Sequence, residues 1–181
     1  MDIREVDFSI FVSLRELRVG DNCFADVGAV RVLGLKQLET VSIGEHSFHG
    51  TGFDSTHGHF CLKDCAVLRE LKIGSGSFYD YDVCEIENVP SLEMIEMGEL
   101  NEECNNFSKS DLLLKNLPKL KSLQLGNSAF ADSRRVVFKN LPELTSLVMG
   151  NGCFKNVGEL KLIGLKKLEK VMIGEKCFTQ D

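Results

Sequence analysis

The chain is poor in proline, with three in 181 residues, and it lacks any run of consecutive apolar residues approaching the roughly 18 that a spanning helix needs. Direct membrane insertion is therefore not expected. Positive charge is not in surplus either. The 27 acidic and 21 basic side chains give a net charge of −6, so counterion release supplies no general drive toward nucleic acid. The opening stretch, MDIREVDFSIFVSL, carries acids where a secretory leader has a basic head followed by an apolar run. Motifs of catalysis are missing as well: there is no G-x-S-x-G elbow, Walker loop or dinucleotide fingerprint, and no Cys-x-x-Cys pair. No spacing of serine, histidine and acid picks out a triad, so the chain reads as a non-enzyme that needs no cofactor. What is present is ordinary for a folded domain. Hydrophobic residues make up 43% and charged residues 27%, which removes disorder, collagen and a membrane bundle from consideration. The seven cysteines are an odd number, and most sit at positions shared with small or apolar residues, so they read as reduced, packed thiols.

The decisive signal is an internal repeat. The pattern L-x-x-L-x-I-G recurs with its glycine at Gly20, Gly44, Gly74, Gly98, Gly126, Gly150 and Gly174. Successive separations are 24, 30, 24, 28, 24 and 24 residues, a 24-residue unit with one insertion of six and one of four. Four residues after the glycine stands Phe24, Phe48, Phe78, Phe130, Phe154 or Phe178, each preceded by a small residue. Only the fourth copy departs, in the stretch ELNEECNNFSKS, where Phe107 is the substitute. A second apolar group spaced L-x-L-x-x-L follows, as in Val30/Val32/Leu35, Phe60/Leu62/Cys65 and Cys84/Ile86/Val89. The opening Val6/Phe8/Phe11 belongs to the same group, so the chain starts partway through a coil.

Each unit thus holds two short stretches of period-two alternation, which predicts two strands per coil and little or no helix. The repeated glycine marks a sharp turn or a close approach between coils. Gly34, Asp64, Asn88, Asn116, Asn140 and Gly164 mark a second corner, being residues that tolerate a left-handed backbone. Pro90, Pro118 and Pro142 follow it, outside any hydrogen-bonded ladder. A single coil cannot bury enough apolar surface to offset the entropy of ordering its backbone, so the units must stack. The expected fold is a mostly β solenoid of parallel strands over residues 1–181, with a partial coil at 1–13. Seven core strands begin near residues 14, 38, 68, 92, 120, 144 and 168. Neither end shows a polar capping unit, which favours a fragment or an uncapped array.

The segment LRELRVGDNCF matches L-x-x-L-x-L-x-x-N-x-L, with Asn22 at the asparagine position and Phe24 at the last apolar one. The other copies keep the spacing but replace the asparagine by His46, Gly76, Ser128, Gly152 or Lys176. The endings IGEHSF, IGSGSF and IGEKCF resemble the I-G-x-x-[AS]-F of BspA-like leucine-rich repeats, known from microbial and protist surface proteins. The resemblance covers essentially the whole chain. It implies a leucine-rich-repeat solenoid and a role in adhesion to proteins or cells.

Four features are candidates for function. All four histidines lie within fourteen residues, and in THGHFCLKDC a strand with Phe60 and Leu62 inward turns His57, His59 and Cys61 outward on one face. Such a set suits zinc or another transition metal; the competing reading is an insertion with incidental polar residues. Cys153 and Cys177 hold one position in adjacent coils, which leaves a disulfide and a ladder of small residues as alternatives. Asn106-Phe107-Ser108 fits the glycosylation acceptor pattern, which matters only in an exported chain. Finally, outward positions on the first strand become apolar at Val148 and Met172, with Met94 and Glu96 on the same face, and Leu113 and Val137 are outward on the second strand. These patches suit a protein partner; singly scattered surface hydrophobes need no explanation.

The functional expectation is a protein-binding or adhesive module, with an intracellular scaffold or a structural spacer as alternatives. Location follows completeness: cytoplasmic for a complete chain, cell-surface for a fragment of a longer one.

Overall fold

The computed structural model describes residues 3–50 and 58–180. In chain order its strands are β1 Glu5–Asp7, β2 Glu16–Val19, β3 Ala29–Leu33, β4 Thr40–Ile43, β5 Gly58–Lys63, β6 Glu70–Ile73 and β7 Tyr81–Glu87. They continue as β8 Met94–Met97, β9 Asp111–Lys115, β10 Ser122–Leu125, β11 Arg135–Lys139, β12 Ser146–Met149, β13 Glu159–Ile163 and β14 Lys170–Ile173. Odd-numbered strands form one seven-stranded sheet and even-numbered strands a second, each in sequence order. Every pairing is parallel. The chain is therefore a parallel β-solenoid with two strands per coil. Among the described residues the helical content is a three-residue 3-10 turn, Phe8–Ile10, whose N–H at Ser9 is accepted by the Asp7 carboxylate.

Period-two alternation sends one row of each strand inward. On the even sheet Leu17, Val41, Leu71, Ile95, Leu123, Leu147 and Val171 stand in register across the coils. On the odd sheet Val30, Phe60, Cys84, Leu112, Val136 and Leu160 do the same. Between the two runs a spine of phenylalanines. Phe24, Phe48, Phe78, Phe107, Phe130, Phe154 and Phe178 stack ring on ring with centroids 4.7 to 5.9 Å apart. Phe107 fills the place left open in the irregular fourth copy: the extra residues lie before the ring, the stretch after it is one residue shorter than usual, and the core is unbroken.

All seven of these phenylalanines have positive φ, from 51° to 59°. A bulky L-residue takes the left-handed region at a cost of about 1–2 kcal/mol, and burial of the ring in the stack sustains it. The second corner is left-handed throughout, at Gly34, Asp64, Asn88, Asn116, Asn140 and Gly164, as their chemistry predicts. There the asparagines also bond to each other: Asn116 Nδ2 donates to Asn88 Oδ1 at 2.9 Å, and Asn140 Nδ2 to Asn116 Oδ1 at 2.8 Å. The repeated glycine answers to a different need. At Gly74 the backbone of the preceding coil passes so close that a Cβ would meet Glu45 N and Gly44 C at 2.7 Å.

The residue before the phenylalanine forms a polar ladder in most coils, which Ala129 interrupts. Ser47 Oγ donates to the Gly20 carbonyl at 2.9 Å, Ser77 Oγ to that of Gly44 at 2.7 Å, Cys153 Sγ to that of Gly126 at 3.0 Å and Cys177 Sγ to that of Gly150 at 3.2 Å. Cysteine thus stands in for serine, and all seven cysteines are free thiols. Burial drives the Cys153 thiol up to about 12, so it remains protonated and able to donate. In the irregular copy Asn106 takes the serine's role, its Nδ2 donating to the Gly74 carbonyl at 2.7 Å.

The edges of the stack are less covered. Phe11 is exposed although it opens the repeat pattern, because the Phe8–Ile10 turn replaces the rest of the strand there. β13 and β14 are edge strands, covered on one side only, so their inward Leu162 and Ile173 are 49% and 55% exposed.

Candidate functional site

Two faces present side chains outward, one from each sheet. On the even sheet the outer rows run Glu16, Thr40, Glu70, Met94, Ser122, Ser146, Lys170 and Arg18, Ser42, Lys72, Glu96, Gln124, Val148, Met172. The charged beginning of this face is internally paired, with Arg18 Nε 2.5 Å from Glu16 Oε1 and Lys72 Nζ 4.0 Å from Glu70 Oε2. At its end one of the two rows turns apolar: Val148 and Met172 are in direct register on β12 and β14, beside Ser146 and Lys170, and Met172 is 50% exposed. Val148, Met94 and Glu96 are half-buried.

On the odd sheet the central outer row runs Asp7, Arg31, Cys61, Glu85, Leu113, Val137, Lys161. Leu113 and Val137 are neighbours, as expected, but Val137 corrects the expectation of an exposed residue, being 4% exposed. Val137 lines a cleft of about 530 Å³ together with the long cationic side chains of Lys115, Arg135, Lys139 and Lys161. Glu159 holds two of these cations, Lys161 at 2.6 Å and Arg135 at 3.4 Å. Leu113 is half-buried beside Val137.

The histidine tract resolves differently from its sequence pattern. His57 lies outside the described residues. His59 and Cys61 do share the outer face of β5, and the next coil adds a third group that spacing along one strand does not show. The coordinating atoms of His59, Cys61 and Glu85 all lie within 4.8 Å of one another. Glu85 arrives because β7 pairs with β5 in a register that sets Cys61 against Glu85, after an irregularity between Gly58 and His59. His59 Nε2 is 3.5 Å and Lys63 Nζ 2.9 Å from Glu85 Oε2, and Lys63 also stands 3.6 Å from Glu87. Burial works against ionisation of Glu85, but the Lys63 ammonium and then His59 outweigh it and hold the carboxyl below its usual value. Desolvation pushes the Cys61 thiol up.

The remaining motif is closed to its chemistry. Asn106 is fully buried with its amide nitrogen committed to the Gly74 carbonyl, so the Asn106-Phe107-Ser108 triplet is inaccessible to glycosylation in the folded chain.

Comparison with family models, curated proteins and solved structures gave no match.

Proposed function

We propose that this chain is a protein-binding, adhesive module of the BspA-like leucine-rich-repeat type, engaging its partner through the outer face of the even sheet at β12 and β14. The observation that carries this reading is the contrast between inward and outward rows. The inward residues repeat coil after coil, whereas the outward ones change from a paired, charged surface to the adjacent apolar side chains of Val148 and Met172. A regular scaffold carrying a variable, locally apolar face is what a recognition surface requires. The repeat spacing L-x-x-L-x-I-G-x-x-x-F, kept over seven copies with Phe107 filling the irregular one, supports the family reading.

The test uses the chain immobilised as purified, with quantitative identification of the proteins it retains from cells of its source, followed by direct affinity measurement with the recovered partner. Wild type is expected to hold a specific protein that the Val148→Glu/Met172→Glu double variant releases, with the variant's far-ultraviolet circular dichroism unchanged. Retention of that protein at equal affinity by the variant removes the proposed face. Recovery of no specific protein from either form would favour a spacer role.

A further inference from the structure

We propose that His59, Cys61 and Glu85 form a binding site for a first-row divalent transition ion of the zinc class, held across β5 and β7 by one nitrogen, one sulfur and one oxygen donor. The three donors come from two successive coils and converge within 4.8 Å. For zinc, with bonds of about 2.0–2.1 Å to nitrogen and about 2.0–2.2 Å to oxygen, a tetrahedron sets those two donors about 3.4 Å apart. The observed separation of His59 Nε2 from Glu85 Oε2 is 3.5 Å. One edge of the coordination polyhedron is therefore already in place.

The donor set also selects the ion. A thiolate and an imidazole favour zinc, cobalt or copper, whereas magnesium and calcium take oxygen ligands. Cys61 is buried and His59 is exposed, so the sulfur is shielded while the histidine side stays open for water as the fourth ligand. Binding breaks the Cys61 S–H bond and forms a sulfur–metal bond, with the proton released to solvent. Lys63 competes for Glu85 directly, but it has Glu87 as a second partner 3.6 Å away to which it can transfer, and Lys115 acts on Glu85 as a further nearby charge. Arg31, in register with Cys61 on the other side, is engaged by Glu5. The site is independent of the even-sheet face proposed for protein binding.

The experiment is titration of the untagged, metal-stripped full chain with cobalt(II), followed by displacement with zinc(II). One equivalent of cobalt is expected to bind, with the visible bands of a tetrahedral ion and a near-ultraviolet thiolate-to-cobalt charge-transfer band. Cys61→Ser should abolish the charge-transfer band. Cys61→Ser, His59→Gln and Glu85→Gln should each weaken binding by more than about 100-fold, beyond the 10–100-fold that outer-shell partners contribute. Cys23→Ser, at a half-exposed thiol on another face, should leave the isotherm unchanged. Absence of one-equivalent binding overturns the proposal, as does a charge-transfer band that survives Cys61→Ser or vanishes in Cys23→Ser. Because Cys61 is buried, each variant's metal-free melting is compared with wild type. If Cys61→Ser melts early, the exposed His59→Gln decides alone, and unchanged affinity there overturns the site.

Discussion

Replacing Phe107 tests the aromatic spine and its backbone together. Its ring is fully buried between Phe78 at 4.7 Å and Phe130 at 5.3 Å, with Phe60 at 5.9 Å and Tyr81 at 6.4 Å also in contact. Phe107→Ala removes that ring from a site with neighbours on both sides, and we predict a loss of about 3–5 kcal/mol. Among the described residues Phe178 stacks only on Phe154, at 5.8 Å, and is 37% exposed, so Phe178→Ala should cost about 1–2 kcal/mol. The sharper comparison is with glycine. In ordinary strand or helix interiors glycine is about 0.5–1 kcal/mol worse than alanine. At Phe107, where φ is 51°, alanine keeps the left-handed strain and glycine relieves about 1–2 kcal/mol of it. Phe107→Gly is therefore expected to be at least as stable as Phe107→Ala. Urea unfolding followed by far-ultraviolet circular dichroism suits the measurement, since the chain has no tryptophan. Equal slopes among the variants establish that stability alone has changed. The reasoning fails if Phe107→Gly is the less stable by the usual margin, or if Phe178→Ala costs as much as Phe107→Ala.

Two further outcomes follow from the coil contacts. Gly74→Ala forces a Cβ into the preceding coil's backbone and should cost about 1–3 kcal/mol. Gly20→Ala, whose nearest neighbour is Cys23 Sγ at 3.9 Å, should be neutral or stabilising by up to about 1 kcal/mol. Calorimetric Tm values separate the two, and similar shifts for both would refute inter-coil crowding as the reason for glycine. Tyr81 donates its hydroxyl to the Val27 carbonyl at 2.6 Å, and burial raises its ionisation well above the ordinary value. Tyr81→Phe should cost about 1–3 kcal/mol at neutral pH by orphaning that carbonyl. Above about pH 10 tyrosine ionises in the unfolded chain but not in the folded one, so the stability Tyr81 contributes is full below that pH and is lost as pH rises. Wild type should then lose up to about 1.4 kcal/mol per pH unit relative to Tyr81→Phe; a stability gap that is constant from about pH 8 to about pH 11 would contradict this.

The chain's spacing by itself determined the coil, its two strands and the inward residues, because period-two alternation fixes which side chains share a face and a 24-residue recurrence fixes how faces superpose. It also marked the second corner, since Asn88, Asn116 and Asn140 are among the few residues that accept a left-handed backbone. Phe107 was legible as the missing spine residue from its type alone. Tertiary structure decided the rest. Glu85 lies one regular 24-residue unit beyond Cys61, so its register was countable from the repeat, but only the pairing of β5 with β7 brings its carboxylate within reach of both His59 and Cys61. Val137 alternates outward but is buried, in a cleft it shares with Lys115 and Lys161 of the adjoining strands and with Arg135 and Lys139 of its own. The Asn106 triplet is closed because its amide substitutes for a serine in the inter-coil ladder. Alternation states the direction in which a side chain leaves its strand; what meets it there is set by neighbouring coils, which lie a full turn away along the sequence.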